Sequence, residues 1–358
     1  MEKEKSLLDL YTDYLICSFG PTTATGLSRV LDGEISHDQV TRFLSAPAKT
    51  SADLWRVVKP LLRQIETEAG VLVIDDSIEE KPYTDENELI CWHWDSAKER
   101  TVKGINFLTA FYVAQEARLP VAFDLVTKTE TFTDPKTGNE KRRSTISKNE
   151  RFRMLLHICL HNEIRFRYVA ADVWYASADN MKYIHHQLDK RFVFPLKANR
   201  KVALCLEDKL QGRYLTVSRL DLSAGTTREV WLEEVDFPVL LAKQVFTNED
   251  GSTGTRYLVT DDLTLTFDQL TALYQKRWSV EVYHKSLKQN ASLEKSPTRT
   301  ETTQRNHLFA SLCAYIKLES LKLQTGLNHF ALKSKIYLSA VQTAFIELGK
   351  FNPQSLTA

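Results

Sequence analysis

The feature that most restricts the fold is a change of hydrophobic pattern at residue 70. Up to that point apolar residues recur at helical spacing, as in "SLLDLYTDYLICSF". From Gly70 onward short apolar runs follow one another, and "GVLVIDDS", "GINFLTAFYVA" and "LPVAFDLVTK" are predicted strands. A helix predicted at about 147–162 separates them from two more strands, "FRYVAADVWYA" and "RFVFPLKAN". This order of strands, helix and strands predicts an α/β core.

These patterns divide the chain into five parts. Residues 1–68 are predicted to form an all-helical N-terminal domain, and residues 69–199 the first part of the α/β core. Residues 200–261 hold short strand patterns divided by turn signals such as "NEDGSTG", which indicates a β-rich insertion. Residues 262–325 return to helix and complete the core, and residues 326–358 form a short helical C-terminal segment.

The N-terminal part contains a helix–turn–helix pattern, "TTATGLSRVL", "DGEI" and "SHDQVTRFL". Ser36 is a suitable N-cap, and Gln39, three residues later, completes a capping box. In a DNA-binding motif the second helix would offer His37, Gln39, Thr41 and Arg42 to DNA. Because short helix pairs are common in helical bundles, the pattern alone favours a plain bundle.

Composition and short motifs exclude several classes. The net charge of +1 over 358 residues predicts no nucleic-acid partner by itself, although "KRRSTISKNER" is locally basic. Five scattered cysteines fit a reducing compartment, so a cytoplasmic location is expected. The sequence has no apolar run of the roughly 20 residues that a membrane helix needs. It also has no P-loop motif. We therefore expect neither a membrane nor a nucleotide cofactor.

Acidic residues follow two of the predicted strands. Asp75 and Asp76 come directly after "GVLVI", and Asp172 follows "YVAA". Acids in such positions project from the carboxyl edge of an α/β sheet, where the sites of this class usually lie. Asp is also a common turn residue, so each position alone is weak evidence and the two together are stronger.

The segment "YQKRWSVEVYHKSLK" holds a single acid, Glu281, among basic residues. On a helix with about 100° per residue, Tyr274, Arg277, Glu281 and Lys288 fall within a stripe about 60° wide. An ordinary Arg277–Glu281 pair at i,i+4 would stabilise the helix by only about 0.2–0.5 kcal/mol. The spacing alone does not separate that interpretation from a functional one.

Three carboxylates from separate elements can hold two divalent cations about 4 Å apart, an arrangement that serves phosphoryl transfer. Asp172, Glu281 and one acid of the Asp75–Asp76 pair would be the ligands. Carboxylate ligands suit Mg²⁺ or Mn²⁺ rather than zinc, so two such ions per active site are expected. The basic residues of the helical stripe would then contact phosphate groups.

The spacing Tyr274-x2-Arg277-x3-Glu281-x6-Lys288 resembles the signature of bacterial DDE transposases of insertion sequence family 4. "IDDS" and "AADVWY" are similar to the two Asp motifs of that family. The resemblance extends over residues 70–324. It implies a ribonuclease-H-like catalytic core with a β-rich insertion, preceded by a helical N-terminal domain.

The resemblance also implies roles for individual residues. The catalytic and metal-binding residues would be Asp76, Asp172 and Glu281. In the family pattern the metal-binding Asp directly precedes a small hydroxylic residue, here Ser77, which selects Asp76 and leaves Asp75 as the alternative.

Further positions are implied to contact DNA. Three signature positions imply phosphate contacts, and Tyr257 stands where the family has an aromatic residue that stacks on a flipped base. Two positions of the possible helix–turn–helix complete the set. The predicted DNA-binding residues are Tyr274, Arg277, Lys288, Tyr257, Gln39 and Arg42.

The function implied is that of a DDE transposase. Such an enzyme binds the terminal repeats of an insertion sequence, cleaves the DNA by two-metal-ion hydrolysis through a hairpin intermediate, and joins the ends to target DNA. Its expected partners are double-stranded DNA, as element ends and as target, and a second copy of the chain in a synaptic homodimer. The alternatives are a metal-dependent DNA nuclease without strand transfer and a catalytically retired DNA-binding regulator.

The long segment "EEKPYTDENELICWHWDSAKERTVKG" is predicted to be an excursion between the first two strands of the core. Its cations Lys98, Arg100 and Lys103 make it a candidate DNA contact. A solvated loop is the favoured interpretation.

Overall fold

The structure is a computed structural model, and it describes residues 6–96, 98–248 and 250–351. The chain divides into two compact units. The larger unit runs from Ser51 to Val282, and the smaller unit combines the residues up to Thr50 with those from Tyr283 onward.

Along the described residues, four helices are followed by a region rich in strands, and four more helices end the chain. The helices are α1 (Leu7–Cys17), α2 (Ala24–Val30), α3 (His37–Leu44), α4 (Ser51–Ile65), α5 (Lys148–His161), α6 (Ala178–Lys182), α7 (Leu206–Leu210), α8 (Phe267–Gln275), α9 (Ser279–Gln289), α10 (Glu301–Thr325) and α11 (His329–Phe351). The strands are β1 (Val71–Glu80), β2 (Cys91–Asp95), β3 (Arg100–Ala114), β4 (Ala117–Leu125), β5 (Glu130–Thr133), β6 (Glu140–Arg143), β7 (Tyr168–Ala171), β8 (Arg191–Leu196), β9 (Lys201–Ala203), β10 (Leu215–Thr216), β11 (Thr227–Leu232), β12 (Val239–Thr247) and β13 (Thr253–Thr260).

A large mixed sheet dominates the larger unit. Among the described residues it joins eleven strands in the order β10-β9-β11-β12-β13-β8-β7-β1-β3-β2, with β4 paired to β3 outside this path. The central pairings β1–β7 and β7–β8 are parallel, and their neighbours β3 and β13 add antiparallel pairings. Parallel central strands need both faces covered, which explains why "VLVI" and "YVAA" are apolar throughout. The result is a mixed α/β fold, compatible with a ribonuclease-H-like core.

The predicted insertion does not form a sheet of its own. Strands β9 to β13 extend the main sheet beyond β8, because β13 pairs with β8. The run "RYLTVSRLDL", predicted as a full strand, contributes only Leu215–Thr216 before a 3₁₀ turn at Val217–Arg219. The domain boundaries read from the sequence stay predictions.

Two expectations about β1 and its surroundings need correction. The strand extends beyond the predicted run "GVLVIDDS" to Glu80, because the long strand β3 pairs with it over its whole length, including Asp75 and Asp76. The segment that follows is not simply a solvated loop. It contains β2, which pairs with β3 at the end of the sheet.

The smaller unit is helical in its described residues. Helix α10 is buried on most of its surface and contacts α1, α3 and α11. The Tyr11 hydroxyl lies 3.0 Å from His307 Nδ1 in this core. The capping box predicted at Ser36 and Gln39 is confirmed. The first four helices do not form a unit of their own, since α4 belongs to the larger unit.

None of the helices within the described ranges is long and apolar enough to span a membrane.

Candidate active site

Asp75 and Asp172 lie side by side where the parallel pairing of β1 and β7 ends. The register closes with Ile74 opposite Ala171, so the next position on each strand is one of these two acids. Asp172 keeps an extended backbone, with φ −76° and ψ 169°, before the chain turns. Because register partners on neighbouring strands project to the same side, the two carboxylates share one face of the sheet.

The guanidinium of Arg277 lies between Asp75 and Glu281. Its Nη1 is 3.7 Å from Asp75 Oδ2, and its Nη2 donates to Glu281 Oε1 at 3.3 Å. The Arg277 side chain is only 10% exposed, while that of Glu281 is 53% exposed. Within the described residues, Arg277 Nε is buried without a hydrogen-bond partner. The i,i+4 pair expected of an ordinary helix surface therefore exists, but its arginine is buried against an acid of the sheet.

Burial and nearby negative charge both perturb Asp75. Burial and the adjacent Asp76 raise the pKa of Asp75 to about 7; Asp172 adds to the rise and Arg277 opposes it. The single guanidinium therefore does not balance the acids around it. A further cation at this position would relieve the repulsion.

Asp76 projects to the opposite face and has its own partners. Lys148 Nζ donates to its Oδ2 at 2.6 Å, Asn106 Nδ2 donates to the same oxygen at 2.9 Å, and the Tyr175 hydroxyl donates to Oδ1 at 2.8 Å. Burial alone would raise the pKa of Asp76, but these contacts, Lys148 first, hold it below its ordinary value. This carboxylate is thus charged and fully engaged.

The sequence reasoning did not identify Lys148, Asn106 or Tyr175. Lys148 is the first residue of α5, whose capping box between Ser147 and Glu150 is present. That capping signal and the basic run before it were visible in the sequence. The contact with Asp76 was not, because 72 residues separate the two side chains along the chain.

The signature residues are not on one continuous α-helix. Tyr274 lies on α8, Arg277 in a 3₁₀ turn at Lys276–Trp278, and Glu281 and Lys288 on α9. The tighter turn changes the angular spacing assumed for a regular helix. Tyr274 is buried, and the Arg277 guanidinium lies 5.6 Å from the centre of its ring.

Two exposed tryptophans lie close in sequence to the acids and were not predicted. Trp278 is 41% exposed and lies near two guanidinium groups, that of Arg277 at 4.9 Å and that of Arg256 at 5.4 Å from its ring centre. Trp174, two residues after Asp172, is 62% exposed. Such rings with nearby cations can stack on nucleic-acid bases.

Tyr257 differs from these tryptophans because it is buried. It lies in β13 opposite Leu196 of β8 and Lys243 of β12, with 9% of its surface exposed. This position favours packing against the sheet, and its role with DNA stays a prediction.

The remaining predicted DNA contacts belong to the smaller unit. Lys288 Nζ is 3.2 Å from Glu294 Oε1. Gln39 and Arg42 are exposed on α3, and the Gln39 amide oxygen accepts from the Ser36 backbone N–H at 2.8 Å.

The fit of the site to a metal rests on the chemistry of its donors. Across the described residues, no three His, Cys, Asp or Glu side chains stand together as a ready ligand set. The carboxylates of Asp75, Asp172 and Glu281 nevertheless come from three elements and surround one guanidinium. Hard oxygen donors of this kind suit Mg²⁺ or Mn²⁺, and burial together with the neighbouring acids Asp76 and Asp172 raises the pKa of Asp75. The residues therefore fit a divalent cation.

Acids on neighbouring parallel strands, a basic helical segment beside them and a large mixed sheet define a class: α/β enzymes that act on phosphate esters. The family model for DDE superfamily endonucleases matches residues 2–214, more than half of the chain, so the chain belongs to this family. The model for the transposase DDE domain matches residues 140–317.

Membership of this family makes the protein a nuclease-type enzyme whose substrate is DNA. Enzymes of the DDE superfamily generally use divalent metal ions. No curated protein sequence matches the chain.

Proposed function

We propose that the protein is a DDE transposase related to insertion sequence family 4. It binds the terminal repeats of its element, cleaves them through a hairpin intermediate and joins them to target DNA. The observation that supports this most is the alignment of Asp75 with Asp172 on one face of the sheet, with Arg277 linking Asp75 to Glu281.

Asp75, Asp172 and Glu281 are the acids that hold the metal in this proposal. The family resemblance selects Asp76, but strand alternation directs Asp76 to the face of Lys148 and Tyr175. The alternative acid that the sequence left open therefore has the better geometry. Asp76 would then position β1 through its own hydrogen bonds.

When bound, two Mg²⁺ or Mn²⁺ ions would supply an activated oxygen nucleophile and neutralise the leaving oxygen. The Arg277 side chain is held in place by its burial and by its hydrogen bond to Glu281. Its guanidinium would therefore hold a phosphate oxygen in a constant orientation. In cleavage, water attacks phosphorus and the P–O3′ bond breaks, which leaves a 3′-hydroxyl. In joining, that hydroxyl attacks a target phosphodiester, and one P–O bond replaces another without ATP.

The flanking residues would bind DNA. Lys288 would contact DNA phosphates, and Gln39 and Arg42 on the exposed side of α3 would read the element ends. Tyr274 is buried beside Arg277, so it would position that guanidinium and not contact a phosphate itself. Two copies would act together, and α11 offers a surface for that contact. Its exposed apolar residues include Tyr337, Leu338, Phe345, Ile346 and Leu348.

The test is nicking of DNA that contains the element ends, in Mg²⁺, by the Glu281→Gln variant. The amide keeps the shape of the side chain and removes the charge that holds a cation, so nicking should be lost while DNA binding remains. Glu301→Gln is the matched control, since Glu301 forms an i,i+4 pair with Arg305 on another helix. Wild-type nicking by Glu281→Gln would contradict the assignment.

A strand-transfer assay with pre-cut ends separates the transposase from its two alternatives. A nuclease without strand transfer would nick but leave pre-cut ends unjoined. A retired regulator would bind the ends and do neither.

A further inference from the structure

The edge strand β2 presents two tryptophans to solvent. Trp92 is 51% exposed and Trp94 is 57% exposed, whereas Cys91, before Trp92, and His93, between the two tryptophans, are buried. This alternation directs both indoles to one face of the sheet. About half of the surface of each tryptophan is therefore exposed to solvent.

The neighbouring strand β3 adds polar groups on the same face. Lys103 lies opposite Trp92 and Thr101 opposite Trp94. Lys103 Nζ is 6.0 Å from the centre of the Trp92 ring, at the outer limit of a cation–π contact. These four residues, Trp92, Trp94, Thr101 and Lys103, are called the Trp92–Trp94 surface.

This surface is on the same side of the sheet as the candidate active site. Lys103 alternates in phase with Thr109, which is the register partner of Asp75. Lys103 is six residues from Thr109 along β3, and β2 is two strands from β1. The surface is therefore roughly 20 Å from Asp75. The stretch between is covered, because Ile105 and Phe107 are fully buried. The surface is therefore a separate contact on the face that holds the acids.

We propose that the Trp92–Trp94 surface binds unpaired DNA by stacking on its bases. This inference rests on the proposed function, since it concerns DNA that extends beyond the cut site. A distance of roughly 20 Å corresponds to about six nucleotides at about 3.4 Å each. Residues i and i+2 of a strand are about 6.8 Å apart, which leaves room for one flat base between two rings.

Charge favours DNA over a protein partner. The Lys103 ammonium can form ion pairs with the phosphates next to the stacked bases. Arg100 and its partner Glu80 alternate with the residues of this surface and lie on the other face of the sheet, so Lys103 supplies the positive charge next to the indoles. Stacking on aromatic rings tolerates any base sequence, so the surface would bind unpaired DNA of any sequence.

The test compares the binding of a single-stranded oligo(dT) and of a blunt duplex to the full chain in EDTA, by fluorescence anisotropy. The Trp92→Ala/Trp94→Ala double variant should bind oligo(dT) at least about tenfold more weakly, the loss of one stacked base. Its affinity for the blunt duplex should not change. Trp92→Phe/Trp94→Phe should retain most of the oligo(dT) affinity, because a ring remains at each position.

Two further variants complete the experiment. Lys103→Gln should reduce the salt slope of oligo(dT) binding by about 0.7, the value for one phosphate contact on a single strand. Tyr83→Ala is the matched control, because Tyr83 is a 96% exposed aromatic residue outside the strands of the sheet. It should bind like the wild type, and thermal unfolding checks that all variants are folded.

Unchanged oligo(dT) binding by the double variant, or equal losses on both probes, would overturn the stacking role. A double variant that binds DNA normally but has an altered oligomeric state would assign the surface to contacts between copies of the chain, which also overturns it. Wild-type nicking in Mg²⁺ is measured in parallel. Its absence would contradict the proposed function, whereas the binding comparison reports on the surface alone.

Discussion

Replacement of Asp75 by Asn should stabilise the metal-free protein increasingly as the pH rises. Asp75 has 18% of its side chain exposed, and its pKa rises from 3.8 to about 7 on folding. Because the folded pKa is the higher one, the neutral form stabilises the fold fully below about pH 4. That stabilisation is lost as the pH rises through about 7. The amide never ionises and avoids the loss.

The magnitude follows from the difference between the two pKa values. At about 1.36 kcal/mol per pH unit, a difference of about three units amounts to ~4 kcal/mol in total. About 2.5 kcal/mol of this falls between pH 5 and pH 8. The stability of Asp75→Asn relative to the wild type should therefore increase by about 2.5 kcal/mol over that range, or by about 3 °C in Tm.

Thermal unfolding in EDTA at pH 5 and pH 8 measures the effect, and Asp76→Asn is the matched control. The pKa of Asp76 is lowered by Lys148, Asn106 and Tyr175, so its charged form stabilises the fold at every pH above its ordinary value. Asp76→Asn should therefore be less stable than the wild type by a similar amount at both pH values. The two adjacent acids should give effects of opposite sign at pH 8.

Addition of Mg²⁺ at pH 8 extends the comparison. At a hundredfold excess over Kd, bound metal should stabilise the wild type by ~2.7 kcal/mol and so raise its Tm. It should not raise the Tm of Asp75→Asn. A stability difference between wild type and Asp75→Asn that stays constant from pH 5 to pH 8 would refute the raised pKa of Asp75. A full Mg²⁺ response in Asp75→Asn would remove this residue from the ligands.

Three other changes test separate parts of the molecule. Arg277→Ala should lower the free energy of unfolding by about 3 kcal/mol at pH 8, because it leaves the buried Asp75 carboxylate without its cation. The loss should be smaller at pH 5, and urea titrations at both pH values measure it. Tyr257→Ala should lower stability by about 3 kcal/mol, since its ring is buried; normal stability with lost hairpin product on denaturing gels would instead support a stacking role. Arg42→Ala should weaken binding to the element ends and reduce the salt slope by about 0.9, whereas Gln39→Ala should weaken binding without a change in slope; affinities over a salt series distinguish them, and unchanged affinities would return α3 to a structural role.

The sequence predicted those parts of the fold that depend on local patterns. Helical spacing of apolar residues located the helices before residue 70, because burial of one helix face imposes a period. Unbroken apolar runs located the strands β1, β7 and β8, because both faces of these strands are buried. The capping box at Ser36 was readable for the same reason, since its two partners are three residues apart.

Contacts between distant segments were not readable in this way. The predicted strand "GVLVIDDS" ends at Ser77, but pairing with β3 extends β1 to Glu80. It treated the segment that contains β2 as a loop, because β2 is short and its strand pairing is with the distant strand β3. It also placed the signature on one regular helix, and the chain tightens at Lys276–Trp278.

The sequence by itself determined which residue types are available: two adjacent acids after one apolar run, a third acid after a second apolar run, and a single glutamate among basic residues. Only the tertiary structure decided which of these meet. The parallel register of β1 and β7 aligns Asp75 with Asp172 and directs Asp76 to Lys148, because alternate residues of a strand face opposite sides of the sheet. Register depends on hydrogen bonds between strands that are about a hundred residues apart, and no local pattern in either strand specifies it.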